Sequence, residues 1–201
     1  MSYSEFSLEK AIRAFRLNYK EEDGLFENVA EVEIRAGLQD SLNETAPIAL
    51  ANNTEKARSE LIVAPILLEV RRMKGGRIGF FSGITFDVEP DQGLSGVCDF
   101  LLSRSPNLLV IGAPVFAIVE AKNDNIRAGL GQCAAELVAA RIFNERSGAA
   151  LTPLFGVVTT GSLWRFLRLD DDVLSVDRRE YFLDNLGKIL GIFSHCVGEP
   201  V

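Results

Sequence analysis

The sequence predicts a single α/β domain in which helices flank a mixed β-sheet. An apolar helical pattern over residues 52–74 ends at a double glycine, and three short strand-like segments follow it. A long helical pattern over residues 125–144 then precedes another buried strand. A helix of that length can cross the sheet and deliver the next strand parallel to its neighbour.

The composition is that of a globular protein with one hydrophobic core. The chain has 201 residues, of which 47% are hydrophobic and 24% charged. No run approaches the ~18 apolar residues of a membrane helix, and the first residues do not resemble a secretory signal. Three cysteines and one histidine argue against a zinc site of the Cys/His kind. We therefore expect a cytoplasmic protein without a membrane segment.

The net charge of −7 argues against tight nonspecific binding to a polyanion. The charge is unevenly distributed, because residues 1–50 hold ten acids against five bases, whereas residues 51–80 hold six bases against three acids. Arg71, Arg72 and Lys74 form a basic group that could contact nucleic acid. The alternative is that they are solvated side chains complementing the dipole at a helix C-terminus.

The first 50 residues are predicted to form a helical extension with amphipathic helices over 7–17 and 28–43. A third helix is predicted to begin near Asn52, which can act as its N-cap, and to end at Lys74. Apolar residues occupy nearly every face of this helix, so we expect it to be largely buried. Pro65 should bend it.

The residues after the double glycine are predicted to form strands. Three strands joined by short turns should form an antiparallel meander, over residues 80–88 with a bulge at Gly83, 96–103 and 114–122. The crossover helix should be followed by strands over 154–160, 164–169 and 173–176 and by a helix over 181–196. The predicted domain thus has a core over residues 52–165 and a terminal strand and helix within 166–201.

Three charged residues stand out at the ends of apolar strands. Glu120 and Lys122 are two residues apart, so both side chains should lie on the same face of the third strand. Asp99 interrupts the apolar second strand and can lie across from Glu120 in a meander. Two carboxylates at that distance repel each other unless a cation lies between them, and their oxygens suit Mg²⁺ or Mn²⁺. The alternative is a structural ion pair between Asp99 and Lys122, with Glu120 solvated.

The run Gly96-x-x-Asp99, followed by Glu120-x-Lys122 and by Gln132 in the next helix, resembles the PD-(D/E)xK nuclease superfamily. The order helix, three strands, helix, strand over residues 52–165 resembles the restriction-endonuclease-like fold of that superfamily. The segment 156–166 is similar to N-terminal domains of type I restriction subunits, and the whole chain resembles a group of short cyanobacterial proteins.

The resemblance implies a Mg²⁺- or Mn²⁺-dependent endonuclease that hydrolyses phosphodiester bonds in DNA. It implies Asp99, Glu120, the carbonyl of Ala121 and an acid of the first core helix, for which Glu60 is our candidate, as metal ligands. Lys122 would be the catalytic ammonium and Gln132 a positioning residue. Glu60 and Gln132 can also be ordinary helix-surface residues.

A second hypothesis is a catalytically silent interaction or assembly module with the same fold, which the acidic composition favours. A homodimer would suit cleavage of both strands of a duplex, and a protein partner could supply targeting. Trp164 and Phe166 are expected in the core rather than as a base-stacking platform. The cysteines are expected to be small core residues, and His195 to lie near the end of the last helix.

Overall fold

The computed structural model describes residues 2–198, which form one open sheet with helices on both faces. The strands are β1 (Asn18–Glu22), β2 (Gly79–Thr85), β3 (Val97–Ser103), β4 (Val115–Ala121), β5 (Leu154–Thr159), β6 (Leu163–Asp170), β7 (Val173–Asp177) and β8 (Tyr181–Phe182). The helices are α1 (Leu8–Ala14), α2 (Ala36–Asn52), α3 (Glu55–Arg58), α4 (Ala64–Met73), α5 (Ile126–Arg146) and α6 (Leu186–Val197), with a π-helical segment, Ser59–Val63, between α3 and α4.

The sheet is mixed, with the strand order β1-β7-β6-β5-β4-β3-β2, and β8 pairs with β6. Strands β2, β3 and β4 form the predicted antiparallel meander. Helix α5 then crosses over to β5, which runs parallel to β4. The prediction of an α/β domain with a mixed sheet flanked by helices is therefore confirmed.

Each face of the sheet has its own hydrophobic core. Helices α1 and α5 contribute to one core, and α2, α4 and α6 contribute to the other. Trp164 and Phe166 are fully buried in the second core, and all three cysteines are buried and free, which confirms both predictions. Among residues 2–198, no helix combines the length and the apolar character that crossing a bilayer requires.

The prediction of a purely helical N-terminal extension is wrong. Strand β1 joins the sheet parallel to β7, and the helix predicted over 28–43 begins only at Ala36. The preceding segment packs against α6, where the Val32 amide donates to the Gly187 carbonyl at 3.1 Å. A Cβ at Gly191 would lie 2.2 Å from the Ala30 carbonyl oxygen. The residues before α2 thus pack closely against Gly187 and Gly191 of α6. These contacts take the place of the hydrogen bonds that a helix would make there.

The predicted helix over 52–74 begins later than expected. Asn52, the predicted N-cap, is instead the last residue of α2, and Asn53, with φ of 51°, is the C-cap of that helix. Thr54 is the N-cap, because its Oγ1 accepts a hydrogen bond from the Ala57 amide at 3.1 Å. The helical stretch then continues through the π-helical segment and α4.

Pro65 is accommodated where the π-helical segment meets α4. Proline has no amide hydrogen, so the carbonyl four residues earlier loses its helical donor. That carbonyl belongs to Leu61, and Thr45 of α2 donates its hydroxyl hydrogen to it at 2.7 Å. A side chain of the neighbouring helix thus satisfies the acceptor that Pro65 leaves free.

Other element boundaries differ by a few residues from the predictions. Strand β2 ends at Thr85 instead of residue 88, and α6 begins at Leu186 because Tyr181–Phe182 form β8. Gly83 has φ of +61°, yet the β2–β3 register is the same before and after it, so the predicted bulge is wrong.

We predict that Gly131→Ala destabilises the fold. Gly131 lies in α5, and a Cβ there would lie 2.3 Å from the Phe6 carbonyl oxygen. The turn before α1 would have to move, so we expect a loss of ~1–3 kcal/mol in the free energy of unfolding, measured with urea. Gly37→Ala is the control, since its Cβ would meet only the end of the flexible Arg35 side chain. Equal stability of the two variants would contradict this account of α1 packing.

Candidate active site

Asp99 and Glu120 lie opposite each other on neighbouring strands. The β3–β4 register pairs Phe100 with Val119, so the next pair in the same register is Asp99 and Glu120. The regular alternation of faces is interrupted here, because Cys98 and Leu101 both belong to the core on the α5 side, whereas Asp99 lines a cleft with residues of α3 and the π-helical segment. Asp99 Oδ2 also accepts a hydrogen bond from the Ala121 amide at 2.8 Å. Asp99 and Glu120 are therefore neighbours at the end of the β3–β4 pair, and their sharing of a cation stays a prediction.

Lys122 follows β4 directly and forms an ion pair with Glu120 Oε1. The Lys122 amide donates to the Thr159 carbonyl of β5 at 2.7 Å, which fixes the backbone at the end of β4. A Cβ at Gly129 of α5 would lie 3.3 Å from Lys122 Cγ and 2.6 Å from Val158 Cγ1. The glycine thus gives the lysine stem room between α5 and the sheet. The structure pairs Lys122 with Glu120 rather than with Asp99.

Helix α5 brings a further carboxyl group to this site. Glu136 is fully buried, and its Oε1 accepts a hydrogen bond from Gln132 Nε2 at 3.1 Å. Glu120 is 1% exposed. The other carboxyl oxygens of the two residues, Glu120 Oε2 and Glu136 Oε2, are buried without a hydrogen-bond partner. Gln132 therefore contacts Glu136 instead of standing free on the surface.

The charges of these groups act on one another. Burial raises the pKa of Glu120 to about 10, and the negative charges of Glu136 and Asp99 act in the same direction, against Lys122. Burial raises the pKa of Glu136 to about 8, although the Gln132 hydrogen bond opposes this shift. Burial lowers the pKa of Lys122, but Glu120 outweighs it, so that the pKa of the ammonium is raised. The site thus favours taking up positive charge, whether as protons or as a cation.

A cleft of about 250 Å³ opens at Asp99. Its lining includes Glu55, Lys56, Ser59, Glu60, Ser82, Gly83 and Asp99. Glu60 thus faces the same cleft as Asp99, but its side chain is 62% exposed and lies 3.8 Å from the Lys56 ammonium. Ser82 and Gly83 belong to β2, and Gly83 stands opposite Asp99. The absence of a side chain at Gly83 leaves open space above β2.

The basic group predicted to contact nucleic acid makes several intramolecular contacts. Arg71 Nε donates to the Ile78 carbonyl at 3.1 Å, and Lys74 Nζ donates to the Gly198 carbonyl at 3.3 Å. Arg72 forms an ion pair with Glu69, which is 4% exposed. The contacts of Arg72 favour the structural alternative, and binding of nucleic acid by these residues stays a prediction. His195 is exposed in the last turn of α6.

Binding of a divalent cation at this site stays a prediction. Within residues 2–198, no group of three or more His, Cys, Asp and Glu side chains is placed to hold a metal ion. Glu60 is therefore not brought together with Asp99 and Glu120 as a three-carboxylate set. Mg²⁺ is usually bound by one or two protein carboxylates together with several waters. Asp99 and Glu120, with its unpartnered Oε2, match that requirement, and the carbonyl of Ala121 stays a predicted ligand.

Comparisons of the chain with protein-family models, with curated proteins and with solved structures gave no match. The resemblance to nucleases therefore depends on the motif and the geometry alone.

We predict that Glu136→Gln makes stability less dependent on pH in metal-free buffer. The folded-state pKa of Glu136 is about 8, above the ordinary value of 4.5, so its stabilising contribution is complete below 4.5 and is lost as pH rises through 8. Between these values the free energy of unfolding of the wild type should fall more steeply than that of the variant, by at most ~1.4 kcal/mol per pH unit.

Urea unfolding at several pH values between 5 and 8 measures the difference. Glu60→Gln, which removes an exposed carboxylate from the same cleft, is the control and should leave the slope unchanged. Parallel curves for the wild type and Glu136→Gln would show that Glu136 ionises normally.

Proposed function

We propose that the protein is a divalent-metal-dependent nuclease that hydrolyses phosphodiester bonds in DNA. One observation carries the proposal: Asp99 and Glu120 directly follow the last β3–β4 pair, Phe100 and Val119, and the Lys122 ammonium is held against Glu120 at the end of β4. The meander β2–β3–β4, the crossover helix α5 and the parallel strand β5 support a restriction-endonuclease-like arrangement.

The proposed roles follow from the positions of the side chains. Asp99 and Glu120 would hold Mg²⁺, which when bound supplies Lewis acidity toward the phosphoryl oxygen and lowers the pKa of water. Lys122 is 19% exposed, so its ammonium can reach a substrate while Glu120 holds it in place. A cation in that position stabilises negative charge that develops on a phosphate in the transition state. Gln132 touches Glu136 and would act as a positioning residue.

The same geometry leaves a second candidate function open, a catalytically silent module. The acids of the cleft, Glu55 and Glu60 beside Asp99, would repel a phosphate backbone in the absence of a metal ion. The formal net charge of −7 acts in the same direction. In such a module the Glu120–Lys122 ion pair would be purely structural. Binding of a divalent cation and cleavage separate the two functions.

We predict that Lys122→Met reduces cleavage of DNA by a factor of ~10²–10³ at saturating Mg²⁺, because the variant keeps the aliphatic stem and loses the ammonium. Single-turnover cleavage of plasmid and single-stranded DNA measures the effect. Lys20→Met is the control. Lys20 is an exposed lysine on the edge strand β1, which three strands separate from β4. Cleavage by Lys122→Met at the wild-type rate would contradict the proposed role.

We also predict that Mn²⁺ raises the melting temperature of the wild type and leaves that of Asp99→Asn unchanged. A ligand that binds only the folded state stabilises it by ~2.7 kcal/mol at a concentration one hundred times its Kd. Differential scanning calorimetry with and without Mn²⁺ checks this. A wild type that Mn²⁺ does not stabilise, and that cleaves no nucleic acid, would favour the silent module.

A further inference from the structure

Four carboxylate side chains are almost completely buried in residues 2–198: Glu69, Glu120, Glu136 and Asp177. Two of them are fully partnered. Glu69 binds Arg35 and Arg72, and Asp177 accepts hydrogen bonds from the amides of Gly24 and Arg179 and from the Tyr181 hydroxyl. These two carboxylates are explained by their structural contacts alone.

Glu136 differs from them. Gln132 donates a hydrogen bond to its Oε1, the Cys98 thiol is close enough to act on its pKa, and its Oε2 is buried without a hydrogen-bond partner. Glu120 Oε2 is in the same condition, and each residue lies close enough to Asp99 for the negative charges to interact. A buried acceptor without a donor costs ~1–3 kcal/mol. An apolar side chain at position 136 would fill the same space without this loss of free energy.

We propose that Glu136 is a further element of the cation site, which accepts hydrogen bonds from the water shell of an ion held by Asp99 and Glu120, and that Gln132 positions it. This inference deepens the proposed function, because it assumes the cation site. Gln132 uses the donor Nε2 on Oε1 and so orients the carboxyl group, while Oε2 stays available. Mg²⁺ and Mn²⁺ keep waters whose hydrogens need acceptors, and buried acceptors of this kind are what orders them.

Within the part of the chain that the structure describes, no three acids are placed as direct ligands. Glu136 would contact the ion through a bound water molecule. Its carboxyl group would therefore lie farther from the ion than those of Asp99 and Glu120. Loss of such an outer contact typically weakens metal binding ~10–100-fold.

The test measures the Kd of Mn²⁺ for the full chain by electron paramagnetic resonance of free Mn²⁺, without nucleic acid. We expect Glu136→Gln, which keeps the shape and removes the charge, to raise the Kd ~10–100-fold. Gln132→Ala, whose site on α5 is only half-buried, should raise the Kd in the same direction. Asp177→Asn is the matched control, a buried acid with complete partners, and should lower stability without changing the Kd.

The possible outcomes separate this inference from the proposed function. Weaker Mn²⁺ binding by both α5 variants supports the inference even if the wild type cleaves no nucleic acid, in which case only the proposed function fails. Unchanged Kd values in Glu136→Gln and Gln132→Ala, with binding abolished in Asp99→Asn, overturn the inference and leave the proposed function intact. A wild type that binds no Mn²⁺ overturns both.

Discussion

Negative charge buried between β4 and α5 is the constraint on which the candidate site depends. Glu120 and Glu136 are inaccessible to water, Asp99 stands opposite Glu120, and one ammonium, that of Lys122, faces them. If all three acids ionise, the group carries a charge of −2 in surroundings where unpaired charge is expensive. Simultaneous ionisation of all three acids is therefore disfavoured, and the pKa values of Glu120 and Glu136 are raised.

The fold creates this constraint through its connections. The meander sets Asp99 beside Glu120 because the β3–β4 register aligns them, and the crossover helix brings Glu136 over the same strand because α5 must span from β4 to β5. Gly129 lets the Lys122 stem lie between α5 and Val158. The site thus depends on long-range pairing, and a change that moves α5 would alter its charge balance.

The two-residue alternation of side chains along a strand is enough to predict the part of the site that lies on β3 and at the end of β4. Glu120 and Lys122 are two residues apart and Asp99 interrupts an apolar run, so the sequence alone places them together. Glu136 lies one turn after Gln132, so the sequence puts both on one flank of α5, but it does not show that this flank is inside, because α5 is buried on nearly all sides. Only the position of α5 over β4 shows which of its acids is inside.

The same distinction holds for the fold. Periodicity predicts the meander and the crossover helix, whose hydrogen bonds are local or join neighbouring segments. It fails for β1, a short polar strand of sequence NYKEE, whose partner β7 is more than 150 residues away. It also fails for the residues before α2, where the contact with Gly187 and Gly191 of α6 decides the conformation. In both cases a distant segment supplies the partner.

The contacts of Gln132 show how the buried charge connects the residues of α5 with those on the sheet. A glutamine on α5 that faced the substrate directly would leave its amide free for a phosphate. In this chain one N–H of the amide binds Glu136, and the charge of Glu136 acts on Glu120. Gln132 is therefore linked to the carboxylates beside Lys122 through Glu136, whose own charge also interacts with Lys122.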